Sequence, residues 1–180
     1  MPGFVRCREN EALVVSGCGL HKPKILCEGG TFVWPGLQKV DRLVTKPFDI
    51  KVDLKNQPTQ NSTVLVNLKA RVQMKIGTQN EELLREAISS FLSKSEEEIQ
   101  KTLQGTAEGI LSTALGSMTA EDLKSKEETF KSTASESLSM ECINMGVLVG
   151  SISDIEISDD HGFYKNLNTK EMKSETEGNN

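Results

Sequence analysis

Residues 63–76, TVLVNLKARVQMKI, constrain this chain more than any other stretch. Val64, Val66, Leu68, Ala70, Val72, Met74 and Ile76 occupy every second position. Asn67, Lys69, Arg71, Gln73 and Lys75 fill most of the positions between them. A period of two puts the apolar side chains on one face of a β-strand. At roughly 3.3 Å per residue, such a strand runs over about 40 Å. It must be paired along its length, because an open apolar edge invites aggregation. Residues 48–55 alternate in the same way through Ile50, Val52 and Leu54. Residues 56–62, with Pro58 and Asn61, read as a turn. Together these segments predict an antiparallel ribbon, bent or twisted, with helices packed on it.

The chain of 180 residues fits one domain with a tail. No apolar run approaches the roughly 20 residues of a membrane-spanning helix. No basic-then-apolar leader opens the chain, which predicts a protein that is not secreted. Cys7, Cys18, Cys27 and Cys142 show no CxxC spacing. They therefore fit reduced thiols better than a disulfide framework or a zinc site. Residues 1–60 carry nine Lys or Arg against six Asp or Glu, and the remainder twelve against twenty. A mildly basic first third on an acidic body suits an anionic membrane surface, the alternative being ordinary solvated charge. It is too scattered for a nucleic-acid footprint.

Residues 1–47 read as short strands and tight turns. Ala12–Ser16 and Lys24–Cys27 are apolar runs closed by glycine, and TFVWPG at 31–36 is followed by residues 37–44. FVWPGL is unusually apolar for a turn. Phe32, Val33 and Trp34 either enter the core or form a protruding tip, and tryptophan favours bilayer interfaces. Beyond Ile76 the period becomes 3.6. Thr78-Gln79-Asn80-Glu81 predicts a helix start, with Leu83, Leu84, Ala87, Ile88, Phe91 and Leu92 on its apolar face. Ser95-Glu96-Glu97-Glu98 predicts a second, whose stripe is Ile99, Leu103, Ala107, Ile110, Ala114 and Met118. Gly105 and Gly109 in that helix suggest close packing on the sheet. Thr119-Ala120-Glu121-Asp122 predicts a third, with the thin stripe Leu123, Phe130, Ala134 and Leu138, ending at Gly146. Residues 147–157 return to strand character with a bulge at Gly150-Ser151. The polar end should be disordered.

No constellation for catalysis emerges, so no enzyme, cofactor, metal or small-molecule substrate is expected. His21 and His161 lack motif partners. Gly17–Gly19 and Gly29-Gly30 lack the lysine and helix of a phosphate loop. Glu96–Glu98 and Glu127-Glu128 read as helix caps and solvated faces rather than metal ligands.

Several stretches in order resemble the flotillins of the SPFH (stomatin–prohibitin–flotillin) superfamily. They are NEALVVSG at 10–17, TFVWP at 31–35, ARVQMKI at 70–76 and FLSKS at 91–95, then MTAEDL at 118–123 and NMGVLVGS at 144–151. Leu103 followed by Gly109 also fits the pattern. The resemblance implies an α+β SPFH (PHB)-like domain over residues 1–167, a curved, mainly antiparallel sheet with packed helices. Residues 168–180 would be a disordered polar tail. It also implies a non-enzymatic scaffold that oligomerises at membrane microdomains. Its place would be the cytoplasmic face of plasma and endosomal membranes, in endocytic trafficking and signalling. The alternative is a soluble, truncated module that caps full-length flotillin-type oligomers.

Three features depart from the family pattern. Gly36 stands where the palmitoylated cysteine is expected, Pro2 excludes N-myristoylation, and no sustained heptads follow the domain. Phe163, beside Tyr164, stands at the family's phosphorylated tyrosine. On this reading Phe4, Val5, Phe32, Val33, Trp34 and Leu37 contact lipids of the inner leaflet. Arg6, Arg8, Lys22 and Lys24 add attraction to anionic headgroups. Cys7, Cys18 and Cys27 are each a candidate for acylation or an unmodified thiol. One acyl chain alone binds only marginally, with K of about 10⁴ M⁻¹, so a second signal is required. Homo- or hetero-oligomers with flotillin-type chains are the expected protein partners.

Overall fold

A computed structural model describes residues 3–60 and 64–159. In chain order its first five strands are β1 (Gly3–Arg6), β2 (Glu11–Gly17), β3 (Lys24–Leu26), β4 (Gly30–Val33) and β5 (Gln38–Val44). The long strands β6 (Phe48–Pro58) and β7 (Leu65–Ile76) follow. Then come α1 (Glu81–Phe91), α2 (Glu96–Gly116), α3 (Ala120–Ser125) and α4 (Glu127–Asn144), and finally β8 (Val147–Asp159). The architecture is α+β. The strands form three sheets, ordered β1-β4, β3-β2-β5 and β6-β7-β8.

β7 behaves as its alternation predicts. Val66, Leu68, Ala70, Val72, Met74 and Ile76 are buried, while Lys69, Arg71, Gln73 and Lys75 are exposed. Each large side chain taken out of water in this way contributes about 1.5–3 kcal/mol. β6 and β7 are sheet neighbours joined by too short a connection for a crossover, so they pair antiparallel. Thr59 closes the connection: its N–H and its Oγ1 both donate to the Val64 carbonyl. β6 extends through Pro58, further into the predicted turn than the sequence indicated. Asn61, Ser62 and Thr63 lie outside the described residues, as do His161, Phe163, Tyr164 and the predicted tail. β8 runs antiparallel to β7. The Gly77 N–H donates to the Gly146 carbonyl at 3.0 Å, and Gly150 lies against Gln73. Gly150 and Ser151 are both exposed, which is the slip of face expected for a bulge there.

The chain packs into two compact units. Among the described residues, one comprises residues 3–49, 73–103 and 139–150, and the other 50–60, 64–72, 104–138 and 151–159. In the first, β2 buries four consecutive residues, Ala12, Leu13, Val14 and Val15, so both of its faces are covered. Its neighbours β3 and β5 pair antiparallel on either side, Leu13 lying opposite Leu26 and Arg42. Leu84, Ala87 and Phe91 of α1 are buried in the same unit. The cap of α1 is Asn80, whose side chain accepts from the Glu82 N–H at 2.9 Å, not Thr78 as the spacing suggested. Ser95 and Glu98 form a reciprocal box at the start of α2. The Ser95 N–H donates to Glu98 Oε2 at 2.7 Å, and the Glu98 N–H to Ser95 Oγ at 3.3 Å. Gly146 adopts φ 73°, and its N–H donates to the Ile143 carbonyl.

In the second unit, Leu111 rather than Ile110 continues the buried stripe of α2, together with Ala107 and Leu115. A Cβ at Gly105 or Gly109 would meet nothing within 4 Å, so neither glycine serves close packing. The predicted third helix is two helices. α3 is capped by Thr119 and ends at Lys126, whose φ −127° and ψ 46° break the helical path before α4. Leu123, Phe130, Ala134 and Leu138 are all buried as their spacing predicts.

Candidate membrane-contact surface

β1 and β4 form a two-stranded ribbon in the first unit, with Gly3 opposite Val33, Phe4 opposite Phe32 and Arg6 opposite Gly30. Alternation decides what the ribbon shows. Phe4 and Arg6 share the exposed face of β1, and Phe32 shares it from β4. The Phe4 and Phe32 rings meet edge-to-face at 5.2 Å between centroids. Across an antiparallel pair such aromatic contacts contribute about 0.5–1.5 kcal/mol beyond area burial. Gly30 makes room for this. A Cβ there would come within 2.6 Å of the Phe4 ring.

The chain then turns at Trp34-Pro35-Gly36-Leu37. Pro35 sets the second position, and Gly36 takes φ 86° at the third, the positive value a type II turn requires. The Leu37 N–H donates back to the Trp34 carbonyl at 3.1 Å. Gln38 clamps the turn, its Oε1 accepting from the Trp34 N–H at 3.0 Å. The turn is also held against the β2–β3 connection. The Cys18 N–H donates to the Leu37 carbonyl at 2.9 Å, and a Cβ at Gly17 would fall on that carbonyl oxygen.

Phe4 is 60% exposed, Phe32 67%, Trp34 53% and Leu37 60%. Val5 is half-buried. Val33 does not belong to this set. It is only 5% exposed, because alternation turns it inward between the outward Phe32 and Trp34. Arg6, Arg8, Lys22 and Lys24 are exposed, and Lys24 Nζ donates to Thr31 Oγ1 of β4 at 3.1 Å. Glu9 and Glu28 are exposed as well.

The three candidate cysteines differ. Cys18 is exposed beside the turn, whereas Cys7 and Cys27 are half-buried. The Cys7 thiol lies 2.9 Å from the Glu11 carbonyl oxygen. Burial, then the Cys7 thiol, then Glu28 push the Cys27 thiol up from its ordinary value. The sequence reading missed Gly30 and Gln38. The paired glycines at 29 and 30 were the available signal for the first, and nothing local marked the second. Among the described residues no group of His, Cys, Asp and Glu is arranged to hold a metal ion. No helix among them is long and apolar enough to cross a membrane.

Residues 5–177 match the model of the SPFH domain / Band 7 family. The chain belongs to that family. Among its relatives, it is 36% identical over 165 residues to Flotillin-1 of Drosophila melanogaster. It is 30% identical over 164 residues to Flotillin-1 of Pongo abelii and of Homo sapiens. These matches cover 92% of the chain for the first and 91% for the others. The chain spans 38% of the length of each relative. The ribbon and turn carry four of the chain's exposed large apolar side chains, Phe4, Phe32, Trp34 and Leu37.

Proposed function

We propose that this SPFH domain is a peripheral membrane module of a non-enzymatic scaffold. The observation that carries the reading is the cluster of Phe4, Phe32, Trp34 and Leu37, exposed on one ribbon and its adjoining turn. Tryptophan and phenylalanine partition into the bilayer interface, and each large apolar side chain fully removed from water contributes about 1.5–3 kcal/mol. Four partly exposed side chains supply a reversible attachment. Arg6, on the same face of β1 as Phe4, and the exposed Lys24, which reaches Thr31 of β4, add about 1 kcal/mol each near an anionic leaflet. Cys18 is the exposed thiol next to the turn, so of the three cysteines it is best placed to carry an acyl chain as a second signal.

The resemblance to Flotillin-1 supports the finer reading. The domain would sit on the cytoplasmic face of plasma and endosomal membranes, in oligomers with flotillin-type chains that organise microdomains for trafficking and signalling. Oligomerisation multiplies weak lipid contacts through effective concentration. A second reading, a module that docks on flotillin-type oligomers without touching lipid, is favoured by a different surface. Met140 and Ile143 of α4 are 74% and 47% exposed. Flotation on anionic vesicles separates the two. Under the first reading the wild type floats and Trp34→Ser floats less. Equal flotation of both removes the turn from the account, and no flotation with retained flotillin binding selects the second reading. Fractionation between cytosol and membranes, before and after hydroxylamine, tests the thioester.

A further inference from the structure

We infer that Cys7 and Cys27 are a redox-active pair that closes to a disulfide between the end of β1 and the β3–β4 connection. The two residues are 20 apart in the chain and are brought together by strand pairing. Cys7 continues β1 one step past the Arg6–Gly30 pair, and its N–H donates to the Gly29 carbonyl at 2.8 Å. This sets its sulfur against the main chain that carries the other thiol. Cys7 Sγ lies 3.3 Å from the Cys27 carbonyl oxygen and 3.5 Å from that of Leu26. Closure requires the Cys7 side chain to rotate off these carbonyls and the two Cα atoms to lie within about 7 Å of each other. Both residues line one cleft of about 700 Å³, with Arg6, Arg8 and Glu28 around it. Both are free and half-buried, so a small oxidant can reach them. The upward push on the Cys27 thiol includes a contribution from Cys7, as expected of one thiol close to another.

The oxidant class is a hydroperoxide, with hydrogen peroxide the simplest. One thiolate attacks a peroxide oxygen, so an S–O bond forms, the O–O bond breaks and hydroxide leaves. The second thiolate attacks the resulting sulfenic sulfur, so the S–S bond forms, the S–O bond breaks and a second hydroxide leaves. The two thiol protons convert both hydroxides to water. The sulfurs together give up two electrons, and the peroxide takes them. A small thiol reductant reverses the bond by exchange. Closure ties β1 covalently to the connection before β4, whether or not the ribbon meets lipid.

The test treats the intact protein and its Cys18→Ser variant with hydrogen peroxide, then alkylates and digests. The expected result is loss of two hydrogens per chain, a crosslinked peptide joining Cys7 to Cys27, and reversal by dithiothreitol. Amide exchange across residues 4–7 slows in the oxidised form. Cys7→Ser and Cys27→Ser each abolish the intrachain link. Separate alkylation of both thiols after peroxide, oxidation to sulfinic acid without a link, or links only between chains would overturn the inference.

Discussion

Phe32 and Val33 are adjacent, both apolar, and placed by alternation on opposite sides of β4. Replacing each in turn by threonine keeps strand propensity and separates lipid contact from core packing. Phe32 is 67% exposed, so about two-thirds of its apolar payload is still available to a bilayer. From about 1.5–3 kcal/mol for a full side chain, that leaves roughly 1–2 kcal/mol of partitioning. At about 1.4 kcal/mol per tenfold, Phe32→Thr should weaken binding to anionic vesicles roughly five- to thirtyfold. Val33 is 5% exposed and has almost nothing left to give a membrane. Val33→Thr instead buries a hydroxyl in the core, which costs about 1–3 kcal/mol of stability. The melting temperature should fall by roughly 2–4 °C per kcal/mol for a chain of this size. Partition coefficients from vesicle titration and thermal melts on the same samples give both readouts. Equal loss of binding in the two variants, or none in Phe32→Thr, would refute the assignment of the two faces.

Glu98 offers a pH signature. Hydrogen bonds from the Ser95 main chain and hydroxyl hold its carboxyl below the usual value of 4.5. A depressed carboxylate stabilises the fold above its unfolded value, and that contribution is lost as pH falls through the folded value. The stability curves of wild type and Glu98→Gln should therefore differ near neutrality and converge in acid, as read by denaturation between pH 3 and 7. Burial, with a smaller contribution from Glu141, pushes the Cys142 thiol up to about 11. In native protein at pH 8, Cys142 should resist iodoacetamide while Cys18 labels, and it should become reactive only on unfolding. Gly146→Ala should destabilise by about 2 kcal/mol or more in chemical denaturation. The position needs φ 73°, and a Cβ there would collide with the main chain of Leu83 and Ala87.

The parts of the fold set by local physics were legible in the residues. Alternation over 64–76 gave β7 and its buried face, and Ser95 with Glu98 gave the start of α2. Gly146 marked the end of α4. The remainder turned on contacts that a short window does not contain. FVWPGL has the same composition whether it is core or tip. Pairing of β1 with β4 sends Val33 in and leaves Phe32 out, and the turn that follows leaves Trp34 exposed. The break at Lys126 carries no glycine or proline. Its one trace is the gap in the apolar stripe between Leu123 and Phe130. Ile110 and Leu111 are equally apolar neighbours, and only the path of α2 selects Leu111. Gly105 and Gly109 suggested a tight contact, yet both face open space.

Gly17 passes so close to the Leu37 carbonyl that no side-chain atom fits between them, and the Cys18 N–H fastens the same oxygen. The tip therefore has no pliable stalk. A pull on Trp34 reaches β2 and β5 through main-chain atoms, so anything that grips the indole orients the sheet behind it as a rigid lever.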